Sequence, residues 1–261
     1  MSSRSADGYR ADIQGLRAVA VLLVVLFHLW PHRLSGGFVG VDVFFVISGY
    51  LITRHLAQEV ERTGRLKVWR FWARRARRLL PAALLVLLAS LAMAWRWLPQ
   101  TQWEATVRQV RASALYVQNW ALARDAVDYS ALNADATVAQ HYWSLSVEEQ
   151  FYFVWPLLIM VLLLAGVALA RLAPSLGGSA PSRRLLMAGG LTTLGVASFG
   201  YSILSTSSDQ AVAYFATPTR VWEFALGGVI GIYWTGRRLQ GPAAVAAAWA
   251  GLGAIGWAAL N

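Results

Sequence analysis

The feature that most constrains this chain is a series of apolar runs, each close to the ~20 helical residues needed to cross the hydrocarbon core of a bilayer. They fall at residues 13–30, 38–53, 79–98, 147–170, 185–204, 212–234 and 243–260. With 57% of the residues hydrophobic and only 14% charged, this is more clustered apolar surface than a soluble core absorbs. The expected fold is therefore all-α, a polytopic transmembrane helix bundle of about seven or eight membrane helices forming one domain over 1–261. The stretch 103–123 is ambiguous: Arg108 and Arg111 share a helical pattern with Leu115, Tyr116 and Trp120, which suits either a span or an interfacial helix.

The net charge of +10 is concentrated at 54–78, where Lys67 and eight arginines face only Glu59 and Glu61. A basic loop between two apolar spans has a sufficient cause in topology, so it is read as cytoplasmic and no nucleic-acid partner is expected. That orientation places the N-terminus inside. Arg171, Arg183 and Arg184 around the Pro/Gly/Ser-rich 174–182, and Arg237 and Arg238 later, carry the same sign and are read as cytoplasmic. These signals agree only if 103–123 does not cross, which leaves 98–146, with Asp125, Asp128 and Asp135, on the outer side. The first run follows Arg4 and Arg10 but ends in Trp30-Pro31-His32-Arg33 without a small-residue cleavage site, so it is expected to stay as a helix. With no cysteine and four scattered histidines, no metal site is expected.

Ionisable groups inside membrane helices are costly, and each one is a candidate for function. In the first helix Arg17 and His28 are eleven residues apart, a spacing that returns to within about 20° of the same face about 16 Å further along. Gln14 and His32 extend the stripe. Arg17 can snorkel to the inner headgroups, but His28 follows an unbroken apolar stretch and has the side chain best suited to accept a hydroxyl proton near neutral pH. Asp42 enters the second run at its outer end, within Gly36-Gly37-Phe38-Val39-Gly40-Val41-Asp42 and then Val43-Phe44-Phe45-Val46-Ile47-Ser48-Gly49-Tyr50, as a helix cap or a counter-ion to His28. Arg74, Arg75, Arg77 and Arg78 form two Arg-x-x-Arg pairs able to hold phosphates, although lipid headgroups would suit them equally. In Trp143-Ser144-Leu145-Ser146-Val147-Glu148-Glu149-Gln150-Phe151-Tyr152, Ser146 and Glu149 have capping-box spacing, while Glu148 has no structural occupation. Arg220 and Glu223, one turn apart after Thr217-Pro218, are expected to neutralise each other.

These segments, in this order, resemble the membrane acyltransferase-3 family, the O-antigen acetylase-like group, over nearly the whole chain. The resemblance implies an O-acyltransferase that moves an acyl group, usually acetyl, from cytoplasmic acyl-CoA as co-substrate to a hydroxyl of a cell-envelope glycan, in a multi-pass protein of the cell membrane with no permanently bound cofactor. It implies His28 as the catalytic histidine, Arg17 as its partner and Arg74, Arg75, Arg77 and Arg78 as the acyl-CoA contact. Asp42, Glu148, Glu149, Arg220 and Glu223 are then candidates for substrate binding. Relatives with this motif style often carry an extracytoplasmic SGNH-type domain, which nothing here matches. The helices also number fewer than the family's usual ten or so, so a C-terminally shortened chain is expected. His28 could act as general base or as a nucleophile that becomes acylated. Two rival readings are a transporter or flippase of a glycan or lipid-linked intermediate, with the polar residues lining its path, and a scaffold that tolerates loss of His28.

Overall fold

The computed structural model describes residues 10–127, 137–172, 182–234 and 239–261. Arg4, Asp128, Asp135, residues 174–181, Arg237 and Arg238 lie outside them. The described residues form ten α-helices and no strand: α1 Ala11–Leu29, α2 Val39–Thr63, α3 Val68–Trp97, α4 Trp103–Ala114, α5 Gln118–Asp125, α6 Tyr142–Leu172, α7 Arg183–Ser208, α8 Gln210–Phe215, α9 Val221–Tyr233 and α10 Gly241–Leu260. Six of them, α1, α2, α3, α6, α7 and α10, are long and apolar enough to cross a membrane, and α9 is a shorter apolar helix. The protein is a multi-pass membrane helix bundle.

Two boundaries differ from the sequence reading, and the open question at 103–123 is answered by two helices too short to cross. The basic segment 54–78 is almost wholly helical. α2 runs on to Thr63, where Gly64 adopts φ 67° as a left-handed C-cap, and α3 begins at Val68. Only four residues are left as a loop, and most of the arginines project from helices. The expected span at 212–234 is broken, because Ala216 leaves helical geometry and a 3-10 turn at Thr217–Thr219, holding Pro218, separates α8 from α9. The ambiguous 103–123 folds as two short helices joined at Tyr116, which takes a positive φ of 54°. At 12 and 8 residues neither α4 nor α5 reaches across a core about 30 Å thick.

α2 is the centre of the bundle and packs on α1, α6, α9 and α10, while α7 backs α9 and α6. Hydrophobic burial does not drive helices together within lipid, so close packing and interhelical hydrogen bonds must. Two glycines set the α2–α9 distance: a Cβ on Gly49 would strike the Phe224 carbonyl, and one on Gly227 would strike the Val46 carbonyl. The gap so closed is filled by rings, with Phe224 stacked on Phe45 at 4.6 Å and on Phe151 at 4.0 Å. Trp155 of α6 donates its indole N–H to the Thr53 hydroxyl of α2 at 2.8 Å.

Gly49→Ala and Gly227→Ala are each expected to lower stability by about 1–3 kcal/mol through overpacking. Gly251→Ala on α10, where an added Cβ meets nothing within 4 Å, is the matched control and should leave the protein as stable or slightly more so. Thermal unfolding of detergent-solubilised protein, followed by size-exclusion chromatography, reads the difference.

Candidate functional site

The two candidates on α1 make no hydrogen bond or ion pair to another side chain among the described residues. His28 lies in the last turn of α1, exposed, with Nδ1 2.7 Å from the Val24 carbonyl. A carbonyl only accepts, so Nδ1 carries the hydrogen, and in the neutral ring the lone pair lies on Nε2. Arg17 is half-buried and has no hydrogen bond or ion pair with any described residue. The helix places both on one face but does not bring them together.

Asp42 is neither cap nor counter-ion to His28. The N-cap of α2 is Phe38, with no side-chain cap bond, and Asp42 sits in the first turn facing α9. There Arg220 Nη1 donates to Asp42 Oδ1 at 2.9 Å and to Glu223 Oε1 at 3.0 Å. Arg220 Nε donates to the Tyr214 carbonyl at 3.2 Å, and the guanidinium lies 4.9 Å from the centroid of the Tyr214 ring. The Glu223 side chain is only 1% exposed, so the expected Arg220–Glu223 neutralisation exists with Asp42 as a third member.

A second cluster lies deeper. Ser48 of α2 and Tyr152 of α6 both hydrogen-bond Glu148, and the Tyr152 hydroxyl is 2.8 Å from Ser48 Oγ. Arg75 of α3 donates through Nε to Glu149 Oε1 at 3.1 Å, lies 3.9 Å from Glu148, and stacks on the Tyr152 ring. Ser48 is nine residues along α2 from Val39, or about 14 Å, close to the middle of a bilayer core. The capping-box reading of Ser146 and Glu149 is thereby corrected. α6 begins at Tyr142, four residues before Ser146, whose hydroxyl donates back to the Tyr142 carbonyl at 3.0 Å, while Glu149 is taken by Arg75. The arginine cluster divides accordingly. Arg75 turns into the bundle, whereas Arg74, Arg77 and Arg78 are exposed, with Arg74 3.4 Å from His55 and Arg77 on the Ala73 carbonyl.

Gln150, to which the sequence pattern assigns no role, ties three segments together. Its Nε2 donates to the Tyr116 carbonyl at 2.7 Å and to Asn119 Oδ1 at 2.9 Å, and its Oε1 accepts from Thr217 at 2.6 Å and Trp120 at 3.2 Å. It thus satisfies the backbone at the α4–α5 break and holds the turn before α9. The signal was a third consecutive polar residue in an apolar helix, but its partners are all distant in sequence. Beside it, a mostly apolar cavity of about 790 Å³ is lined by Trp72, Arg75, Trp120, Glu149, Tyr152 and Leu194 among others. His28 and Arg17 are not on its wall. Among the described residues no group of three or more His, Asp or Glu could hold a metal ion.

Arg75→Ala leaves Glu148 and Glu149 adjacent without their cation and should destabilise the bundle by about 3 kcal/mol or more. Adding Glu149→Gln to it should recover part of the loss. A double-mutant cycle on the thermal midpoint, with Arg74→Ala as the exposed comparison expected to change little, checks this.

A family model described as an acyltransferase domain matches residues 10–261. A presumptive O-acetyltransferase of Staphylococcus aureus strain MSSA476 is 36% identical over 232 residues, which is 89% of this chain and 36% of that protein. O-acetyltransferase OatA of S. aureus strain NCTC 8325 is 36% identical over 228 residues, 87% of this chain and 35% of that protein. The chain thus spans about a third of the length of the curated relatives it matches. No solved structure matches it. By the extent of the family match and the identity to these relatives, the chain belongs to the acyltransferase-3 family of membrane proteins.

Proposed function

We propose that the protein is a membrane O-acyltransferase that takes an acetyl group from acyl-CoA on the cytoplasmic side and delivers it to a hydroxyl of an envelope glycan on the outer side. The observation that carries this reading is the free Nε2 of His28, whose tautomer is set by its own helix, at the end of α1 and in a chain of this family. A neutral imidazole nitrogen with an available lone pair can attack a thioester or remove a hydroxyl proton. Arg17, on the same helix face and without a hydrogen-bond or ion-pair partner among the described residues, suits a phosphate or the developing thioester oxyanion. Arg74, Arg77 and Arg78 are exposed and make no ion pair among the described residues, which suits them to the phosphates of CoA, whereas Arg75 is committed to Glu149.

The positive-inside pattern supports an N-terminus in the cytoplasm, with His28 at the far end of the first span. Relatives about three times as long leave ample chain for a further extracytoplasmic domain of the SGNH type to receive or pass on the acyl group. A transporter would use its helix breaks to offer bare carbonyls to substrate or ions. Here the break at Tyr116 is occupied by Gln150, and the Thr219 hydroxyl donates to the Ala213 and Ala216 carbonyls before α9.

Membranes carrying the full-length protein are expected to transfer label from radioactive acetyl-CoA to envelope glycan. At equal expression, His28→Ala and Arg17→Ala should each lower transfer at least a hundredfold. Wild-type labelling in His28→Ala would overturn the assignment.

A further inference from the structure

At the end of the bundle away from His28, three polar side chains of α1 and α2 meet in a group that the reading above does not use. Arg10, at the start of α1, donates through Nη1 to the Tyr50 hydroxyl at 3.2 Å. Arg54, one turn beyond Tyr50 on α2, donates through its own Nη1 to the same oxygen at 2.8 Å. The two guanidinium groups therefore lie within the span of two hydrogen bonds of each other. Like charges brought so close repel unless an anion offsets them. Asp12 answers only one of the two: it takes the Nε and Nη2 edge of Arg10, which leaves Nη1 turned to Tyr50. Arg54 has no acidic partner among the described residues, where its one hydrogen bond is to Tyr50.

The count of hydrogens points the same way. A phenol oxygen donates one hydrogen bond and accepts through its lone pairs. The Tyr50 oxygen accepts from both arginines, and its own hydrogen meets no acceptor among the described residues. Nε and Nη2 of Arg54 are likewise unspent. Arg10 is exposed and Tyr50 and Arg54 are half-buried, so a ligand can reach all three. Surplus positive charge beside several convergent donors is the chemistry that holds a phosphate.

Resting on the acyltransferase reading, we propose that Arg10, Tyr50 and Arg54 form a phosphate-binding site that takes the pyrophosphate of acyl-CoA. Arg17 stands seven residues beyond Arg10 on α1, two turns and about 10 Å further along the same face, and His28 continues that face. An acyl-CoA has its charges at one end and its thioester at the other end of an uncharged arm. Phosphates fixed beside Tyr50 direct that arm along α1, past Arg17 and toward His28. The tails of a phospholipid held by its headgroup would gain nothing from Arg17. Arg74, Arg77 and Arg78 belong to α3 and share no hydrogen bond with this group among the described residues. CoA carries its ribose phosphate apart from its pyrophosphate, so two basic stations suit its two phosphate groups.

An anionic lipid headgroup offers the same phosphate chemistry, so two measurements are made on full-length protein in phosphatidylcholine nanodiscs. One is the binding of tritiated CoA, and the other is the rise in thermal midpoint when phosphatidylglycerol replaces part of the lipid. Arg10→Gln and Arg54→Gln should each weaken CoA binding about tenfold or more, and Tyr50→Phe, which keeps the ring, about threefold. Arg54→Lys, which keeps the charge but not the fork, should recover part of the loss. Arg62→Gln, at an exposed arginine in the last turn of α2, should bind CoA within twofold of wild type. Unchanged CoA binding with loss of the phosphatidylglycerol effect in Arg10→Gln and Arg54→Gln overturns the CoA assignment and makes the ligand a lipid headgroup. CoA binding within twofold of wild type in both variants, with the lipid effect intact, overturns the site altogether. A wild-type protein that binds no CoA overturns the acyl-CoA reading itself, and the lipid measurement then decides the site.

Discussion

A charge inside hydrocarbon must find its opposite, and this requirement organises the bundle. Two arginines do most of it. Arg220 gathers Asp42 and Glu223, and Arg75 gathers Glu149 with Glu148 close by, so α2, α3, α6 and α9 are held in fixed register along the membrane normal. The glycine contacts between α2 and α9 and the rings stacked around Phe224 then settle into a geometry that the ion pairs already permit. Breaking a pair would strand a carboxylate in a medium that cannot solvate it, whereas losing a ring contact costs only packing.

Much of this architecture was legible from one dimension, for a physical reason. Crossing a bilayer imposes a length and a composition, and both are visible in runs such as 13–30 and 185–204. What misled was local pattern. Ser146 and Glu149 have capping-box spacing, yet Glu149 is claimed by Arg75, 74 residues away, and no local rule anticipates a partner at that distance. Asp42 looked like a cap for the same reason and went to Arg220, 178 residues away. The segment 212–234 is apolar enough to span, but Pro218 cannot supply a backbone donor, and the chain turns there. Gln150 was visible as an oddity, while its role as a clasp for two interrupted helices needed the fold.

The polar residues divide into two kinds that sequence cannot distinguish. Asp42, Glu148, Glu149, Arg75, Arg220 and Glu223 are engaged with one another and hold helices together. Among the described residues His28 and Arg17 make no hydrogen bond or ion pair to another side chain, and both lie on α1. A residue that must meet a substrate cannot already be satisfied by the protein, which is why we propose His28 and Arg17, rather than the paired charges, as the groups that meet it.

The hydrogen bond from His28 to Val24 joins residues one turn apart in the same helix. It therefore depends on the helical geometry of α1 and on no neighbouring helix. The nitrogen we propose as reactive is thus selected by a 19-residue segment alone, which frees the rest of the protein to vary. On that proposal the other helices and loops can change which acceptor is presented, and how, without altering the nitrogen that meets it.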